Sequence, residues 1–132
     1  MKIPLGVYTH SMSTIDLTLD TFETAIEQNA ILFVDFWAAW CGPCRQFAPV
    51  FEKASEQHPD IKFAKVDTEL EQQLAGMLAI TSIPTLMVFR ENVLIFSQPG
   101  ALPAPALEQL IEAVRNVDMS QVHQKLREQE AQ

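Results

Sequence analysis

At 132 residues, 48% hydrophobic and with both charge signs present, the chain has the size and composition of one globular domain, and no stretch nears the ~20 consecutive apolar residues that span a bilayer. A net charge of −8, with no Lys/Arg cluster to reverse it locally, argues against nucleic acid or an anionic membrane as partner. The opening "MKIPLGVYTHSM" carries one lysine but no continuous apolar core and no small-residue cleavage pattern. It does not read as a secretion signal, so a cytoplasmic address is expected by default, although a mature form already stripped of its signal would read the same way.

Residues 1–12 read as an arm ahead of the domain. "STIDL" (13–17) fits a short edge strand, and "DTFE" (20–23) fits a capping box in which Asp20 opens a helix and Glu23 reaches back. Ile31–Trp37 is apolar at six of seven places without alternation, the pattern of a parallel strand buried on both faces; Asp35 is the exception. Phe47, Val50, Phe51 and Ala54 then recur at helical spacing, with Pro49 expected to kink a helix that ends near His58-Pro59. "IKFAKVD" (61–67) reads as a second buried strand, and "TELE" (68–71) as a capping box before Leu70, Leu74 and Met77. "TLMVF" (85–89) and "VLIFS" (93–97), joined through Arg90, Glu91 and Asn92, predict an antiparallel hairpin. Leu107, Leu110, Ile111, Val114 and Val117 mark a final core helix. This order, β-α-β-α-β-α-β-β-α, predicts an α/β sandwich with a mixed sheet of four to five strands and helices on both faces, the domain spanning 13–117.

The two cysteines fall where a buried strand ends and a helix begins, the place where sites gather in open α/β sheets. Free N–H groups and the helix dipole there favour an anion, so Cys41 is expected to be a stabilised, reactive thiolate, while Cys44 lies one turn inside and more covered. That asymmetry suits exchange: Cys41 attacks a substrate disulfide, and Cys44 resolves the mixed disulfide. A bridge closing so short a loop removes little chain entropy, which makes stability a poor reason for the pair. Two blander readings compete. Half of a zinc site would need further ligands, and His10, His58 and His123 stand without ligand spacing; two inert buried thiols are the other. No G-x-G-x-x-G follows a strand, so no nucleotide cofactor is expected, and the lack of further ligands at metal spacing means that no metal is expected either.

"WCGPC" (40–44), with "VDFWA" (34–38) before it and "SIPT" (82–85) after it, resembles the thioredoxin family over about residues 14–116. The resemblance implies the thioredoxin fold and a protein-disulfide reductase with a redox-active Cys41–Cys44 disulfide and no bound cofactor. It implies that Asp35 lies buried behind the cysteines and handles the proton of Cys44, with Lys65 nearby. The physics agrees, because a desolvated carboxyl titrates upward toward neutrality; the bland alternative is an aspartate tucked against backbone donors. Pro84 matches the family's cis-proline, beside which the Ile83 backbone would pair with an extended substrate strand. Trp40, Gly42, Pro43 and Gly100 match the family's docking surface, whereas Trp37 reads as core. Gly42-Pro43 puts no charge between the cysteines, which points to a reductant rather than an oxidant. Implied partners are an NADPH-linked flavoprotein thioredoxin reductase as electron donor and disulfide-containing client proteins; a monomer is expected.

Two local departures leave the chemistry untouched: Asn92 stands where the family usually has Gly in the hairpin turn, and Pro103 stands where a capping Ser or Thr is common, shifting the last helix toward Pro105. The tail, 118–132, runs past the family's usual end. Met119, Val122 and Leu126 lie on one helical face, predicting an extra helix after Asp118 or Ser120, either packed on its own domain or used for docking or dimerisation. The alternative to a reductase is a thioredoxin-like binding or chaperone module whose docking surface and extra helix matter more than redox turnover.

Overall fold

In the computed structural model, which describes residues 13–131, the central strand is β2 (Ile31–Trp37), and five of its seven residues are fully covered. The expected N-terminal arm, 1–12, lies outside the described residues. The sheet runs β1 (Thr14–Asp16), β3 (Lys62–Asp67), β2, β4 (Thr85–Arg90), β5 (Val93–Pro99). The first three strands are parallel and the last two antiparallel to their neighbours, which makes the predicted mixed sheet, with β1 at one edge and the hairpin at the other.

Alternation along β2 sorts the core into two layers. Leu32, Val34 and Phe36 face α1 (Leu19–Gln28) and α3 (Gln72–Met77), packing with Phe22, Ala25 and Leu74. Phe33 faces α2 (Gly42–Gln57) and α4 (Ala104–Arg115), where Phe47, Phe51, Leu107 and Ile111 meet Phe63 from β3. The Phe33 and Phe63 rings stack at 5.1 Å, and Phe51 meets Phe63 edge-on at 5.2 Å. Each such buried ring contributes roughly 1.5–3 kcal/mol by burial alone, so this aromatic group anchors α2, the helix that carries the cysteines.

Several local expectations are corrected. The cap of α1 is Thr18 rather than Asp20: the Thr18 backbone is extended, and its N–H donates to Thr21 Oγ1 at 2.9 Å, a capping box set two residues earlier. Asp20 lies in the first turn, where a carboxylate suits the dipole. "TELE" is no capping box. Asp67 Oδ1 accepts the N–H groups of Glu69 and Leu70 at 2.9 and 3.3 Å, which holds 68–70 as a turn, and α3 begins only after Glu71. Leu74 is then its buried apolar residue, while Leu70 and Met77 are exposed. The hairpin turn is two residues long, not three: β4 runs through Arg90, and Glu91 and Asn92 both take positive φ (50° and 69°), as a type I′ turn requires. Asn92 accepts this conformation in place of the family's Gly. The last core helix opens at Ala104 with Pro105 in its first turn and ends at Arg115, so Val117 lies beyond it.

The extra helix exists as α5 (Met119–Glu130). Asp118 caps it, accepting the N–H groups of Ser120 and Gln121, and Met119 is buried. Arg90 fixes the junction between α4 and α5: its guanidinium donates to the carbonyls of Val114 (2.7 Å), Arg115 (3.3 Å) and Val117 (2.8 Å). His123 meets Glu91 at 3.2 Å, so α5 lies against its own domain at the hairpin end.

After α3 the chain reverses through Ala79 at φ 55°, with the N–H of Ile80 returned to the Ala75 carbonyl. A left-handed residue closing a helix is usually Gly, because a Cβ there costs about 1–2 kcal/mol, partly offset by glycine's larger unfolded-state entropy. Ala79→Gly is therefore expected to stabilise the chain by about 0.5–1 kcal/mol. Thermal unfolding checks this, and an unchanged or lowered midpoint contradicts it.

Candidate active site

The site forms where β2 hands the chain to α2. The strand ends at Trp37, Ala38 is buried, and Cys41 becomes the N-cap of α2 with Pro43 in the first turn. Cys41 and Cys44 are joined as a disulfide, with Cα atoms 5.2 Å apart, and Cys41 Sγ accepts the N–H of Cys44 at 3.2 Å. The predicted asymmetry in cover is small, since the two residues are 4% and 2% exposed. Their difference lies in polar contacts instead. The Ile83 carbonyl oxygen lies 3.6 Å from Cys41 Sγ.

The Ile83–Pro84 peptide is cis, as the resemblance implied. Ile83 packs against the cluster of Ala38 and the two cysteines, and the Pro84 carbonyl accepts the N–H of Gly100 at 2.8 Å. Gly100 is at φ 111°, a conformation side chains rarely adopt, so this residue does need to be glycine even though space beside it is open. Gly42 is half-buried, while Pro43, Gly100 and above all Trp40, 66% exposed, are open to a partner. The docking residues expected from sequence thus gather around one disulfide. Trp37, expected in the core, is only partly buried and packs against the cysteine cluster.

Asp35 is fully covered, and among the described residues neither of its carboxyl oxygens has a hydrogen-bond partner, so the reading that tucked it against backbone donors fails. Its side chain alternates to the face that α2 covers. Burial pushes its pKa from the ordinary 3.8 to about 7, against the opposing pull of Lys65. Lys65 is its neighbour in the parallel register, but the ammonium turns over the Trp37 ring, 4.9 Å from the centroid, rather than pairing with the carboxylate.

Two acidic residues at this end were missed in the sequence. Glu69 accepts a hydrogen bond from Trp40 Nε1, and Glu71 Oε1 accepts the N–H of Leu19 at 2.9 Å, serving as a remote cap for α1. Their roles were hidden because the run 68–71 matched a capping pattern that it does not use. Among the described residues, no three His, Cys, Asp or Glu side chains gather to hold a metal, and no helix is long and apolar enough to cross a membrane. A groove of about 480 Å³ between α2 and α4, lined by Pro49, Val50, Lys53 and Leu107 among others, shares no residue with the disulfide cluster.

A mixed five-stranded sheet with a disulfide capping the helix after its central strand and a cis-proline facing it defines a thiol-disulfide oxidoreductase of the thioredoxin fold. The family model Thioredoxin matches residues 13–125, and the chain belongs to the thioredoxin family. It is 51% identical over 120 residues to putative thioredoxin 2 of Streptomyces coelicolor, covering 91% of this chain and 90% of that one. It is 40% identical over 96 residues to thioredoxin-1 of Saccharomyces cerevisiae, covering 73% and 92%. Among solved structures, mitochondrial thioredoxin 3 of Saccharomyces cerevisiae in its oxidised form aligns with a TM-score of 0.72 at 34% identity, covering 80% of this chain and 98% of that one. A Plasmodium falciparum thioredoxin aligns with a TM-score of 0.70 at 36% identity, covering 76% and 97%. Thioredoxins as a family exchange electrons with reductases and with disulfide-containing proteins, and they need no cofactor. The alternative of a binding or chaperone module, whose docking surface and extra helix would matter more than redox turnover, is not favoured beside the family match and a cysteine pair at disulfide distance.

The buried carboxyl makes stability depend on pH in a set direction. Between the unfolded value of 3.8 and the folded value of about 7, the folded chain holds a proton that the unfolded chain has released. Stability should therefore fall as pH rises through that window and, for this group, level off above it. Asp35→Asn removes the slope: relative to the native chain it should gain on the order of 3 kcal/mol between pH 4 and pH 8. Urea unfolding of both oxidised proteins across this range is the measurement, and parallel pH profiles would contradict the assignment.

Proposed function

We propose that this chain reduces protein disulfides, with Cys41 as attacking thiol, Cys44 as resolving thiol and Asp35 as the group that takes the resolving proton. The observation that carries this reading is the cysteine pair at the start of α2 with an unpaired buried carboxyl on the sheet face beneath that helix. In the reduced protein the Cys44 N–H, which already points at Cys41 Sγ, stabilises a Cys41 thiolate. That thiolate attacks one sulfur of the client disulfide. The client S–S bond breaks, and its other sulfur leaves as a thiolate that takes a proton from solvent. Asp35, titrating near neutrality, accepts the proton of Cys44, and the Cys44 thiolate attacks Cys41 Sγ. The mixed disulfide breaks, the second client sulfur is released and protonated, and two electrons have passed from the dithiol to the client.

Lys65, over Trp37 beside Asp35, lowers the cost of the transient carboxylate. Trp40, Gly42, Pro43 and Gly100 form the surface on which the client rests, and the Ile83 backbone beside Pro84 pairs with its extended strand. The electron donor is an NADPH-linked flavoprotein thioredoxin reductase, the working form is a monomer in the cytoplasm, and residues 13–117 carry the redox domain with 118–132 as an extension. Family membership and the uncharged Gly42-Pro43 pair support the reducing direction.

Insulin reduction driven by NADPH and a bacterial thioredoxin reductase tests the reading, with the native chain set against Cys41→Ser. Turnover by the native chain and its loss in the variant are expected. Reduction only with a chemical dithiol as donor would overturn the choice of reductase, and no reduction with either donor would overturn the function.

A further inference from the structure

Resting on the reductase reading, we infer that the turn after β3 extends the client surface and selects disulfides flanked by an apolar residue together with Lys or Arg. The observation behind it is Leu70. It is 78% exposed, next in the chain to Glu69, which bonds the 66% exposed Trp40, yet its own backbone N–H is tied down. Asp67 Oδ1 fixes the N–H groups of Glu69 and Leu70, the Thr68 hydroxyl donates to the Trp37 carbonyl at 3.0 Å, and Glu69 accepts from Trp40 Nε1. An apolar side chain presented by a pinned turn loses little entropy when a partner covers it.

This surface is continuous with the reactive centre. Trp37 packs in the cluster of Cys41 and Cys44, and the same residue lines a cleft of about 170 Å³ with Leu70, Leu17, Asp16, Asp67 and Glu71. Cys41 is only 4% exposed, so the rate at which a peptide disulfide reaches it depends on how well the flanking residues fit Trp40 and what adjoins it. Three carboxylates line the cleft and Glu69 stands beside it, while the cation facing Trp37 is Lys65, which lies over the ring. An apolar side chain against Leu70 with a basic one toward Asp16 and Asp67 matches that lining in both polarity and charge.

The test uses the full chain, reduced with dithiothreitol and then freed of it. It is mixed with two synthetic peptides that share one intramolecular disulfide ring, one flanked by Leu and Lys and the other by Ser and Glu. Transfer is read by acid quench and mass, with one protein dithiol becoming a disulfide as one peptide disulfide becomes two thiols. At low salt the Leu/Lys peptide should oxidise the native chain roughly fivefold to tenfold faster. The preference should shrink in Leu70→Ser and in Asp16→Asn, both exposed positions, and vanish in the double variant, while all four proteins react equally with hydroxyethyl disulfide. Equal rates for the two peptides, or a preference intact in the double variant, would overturn the inference. A native chain inert even to hydroxyethyl disulfide would instead overturn the reductase reading itself.

Discussion

β2 is held between a parallel and an antiparallel neighbour with helices over both faces, and that position forces most of what happens at its end. A strand so covered has no solvent to offer a polar side chain. Asp35 is therefore stranded among Lys65 and Leu86 in register, its two oxygens unpaired and its pKa raised toward neutrality. The same cover fixes where the strand stops, and with it the direction from which α2 starts. The aromatic layer of Phe33, Phe47, Phe51 and Phe63 locks that helix to the sheet, so the disulfide at its first turn is placed by core packing rather than by its own loop.

The turn between β3 and α3 is a second junction that depends on this frame. Its residues reach three separate elements: Thr68 bonds back to the end of β2, Glu69 to Trp40 ahead of the cysteines, and Glu71 to the open start of α1. Orphan N–H groups at a helix start must find an acceptor somewhere, and α1 takes one from a residue 52 positions away. One short turn therefore ties the helix layer opposite the site to the site itself.

How much of this was legible in the sequence depended on the range of the interaction. The order of strands and helices, the buried character of β2 and the odd aspartate within it follow from hydrophobic pattern, which reports burial directly. Asp118 as the cap of α5 was readable because its partners are two and three residues away. The caps of α1 and α3 were misread because competing signals lie close together. Thr18 and Asp20 are both acceptable caps to a local rule, and "TELE" satisfies a capping pattern, but Asp67 just ahead of that run already holds 68–70 as a turn, and the N–H of Leu19 goes to Glu71, 52 positions away. Glu69 left no local signal, since nothing in its neighbours points to an indole 29 residues earlier. The roles proposed for Asp35 and Pro84 came through family resemblance, because spacing alone does not bring them to the cysteines.

That division bears on how the two cysteines differ. The pattern of a helix start suggested that Cys44 is simply more hidden, yet at 4% and 2% exposure both are closed off. What separates them is electrostatic: Cys41 Sγ receives the N–H of Cys44 at the positive end of α2, whereas Cys44 lies inside the first turn with the unpaired carboxyl of Asp35 on the sheet face below. In the proposed mechanism the outer sulfur is the one favoured as an anion before any client arrives. The inner one becomes an anion only when a base within the core takes its proton. Placing that base on a strand buried on both faces costs stability at neutral pH, and the cost is the reason its pKa lies where proton transfer to and from a thiol is possible. The aspartate is thus unfavourable for the fold and suited to the chemistry for one and the same physical reason.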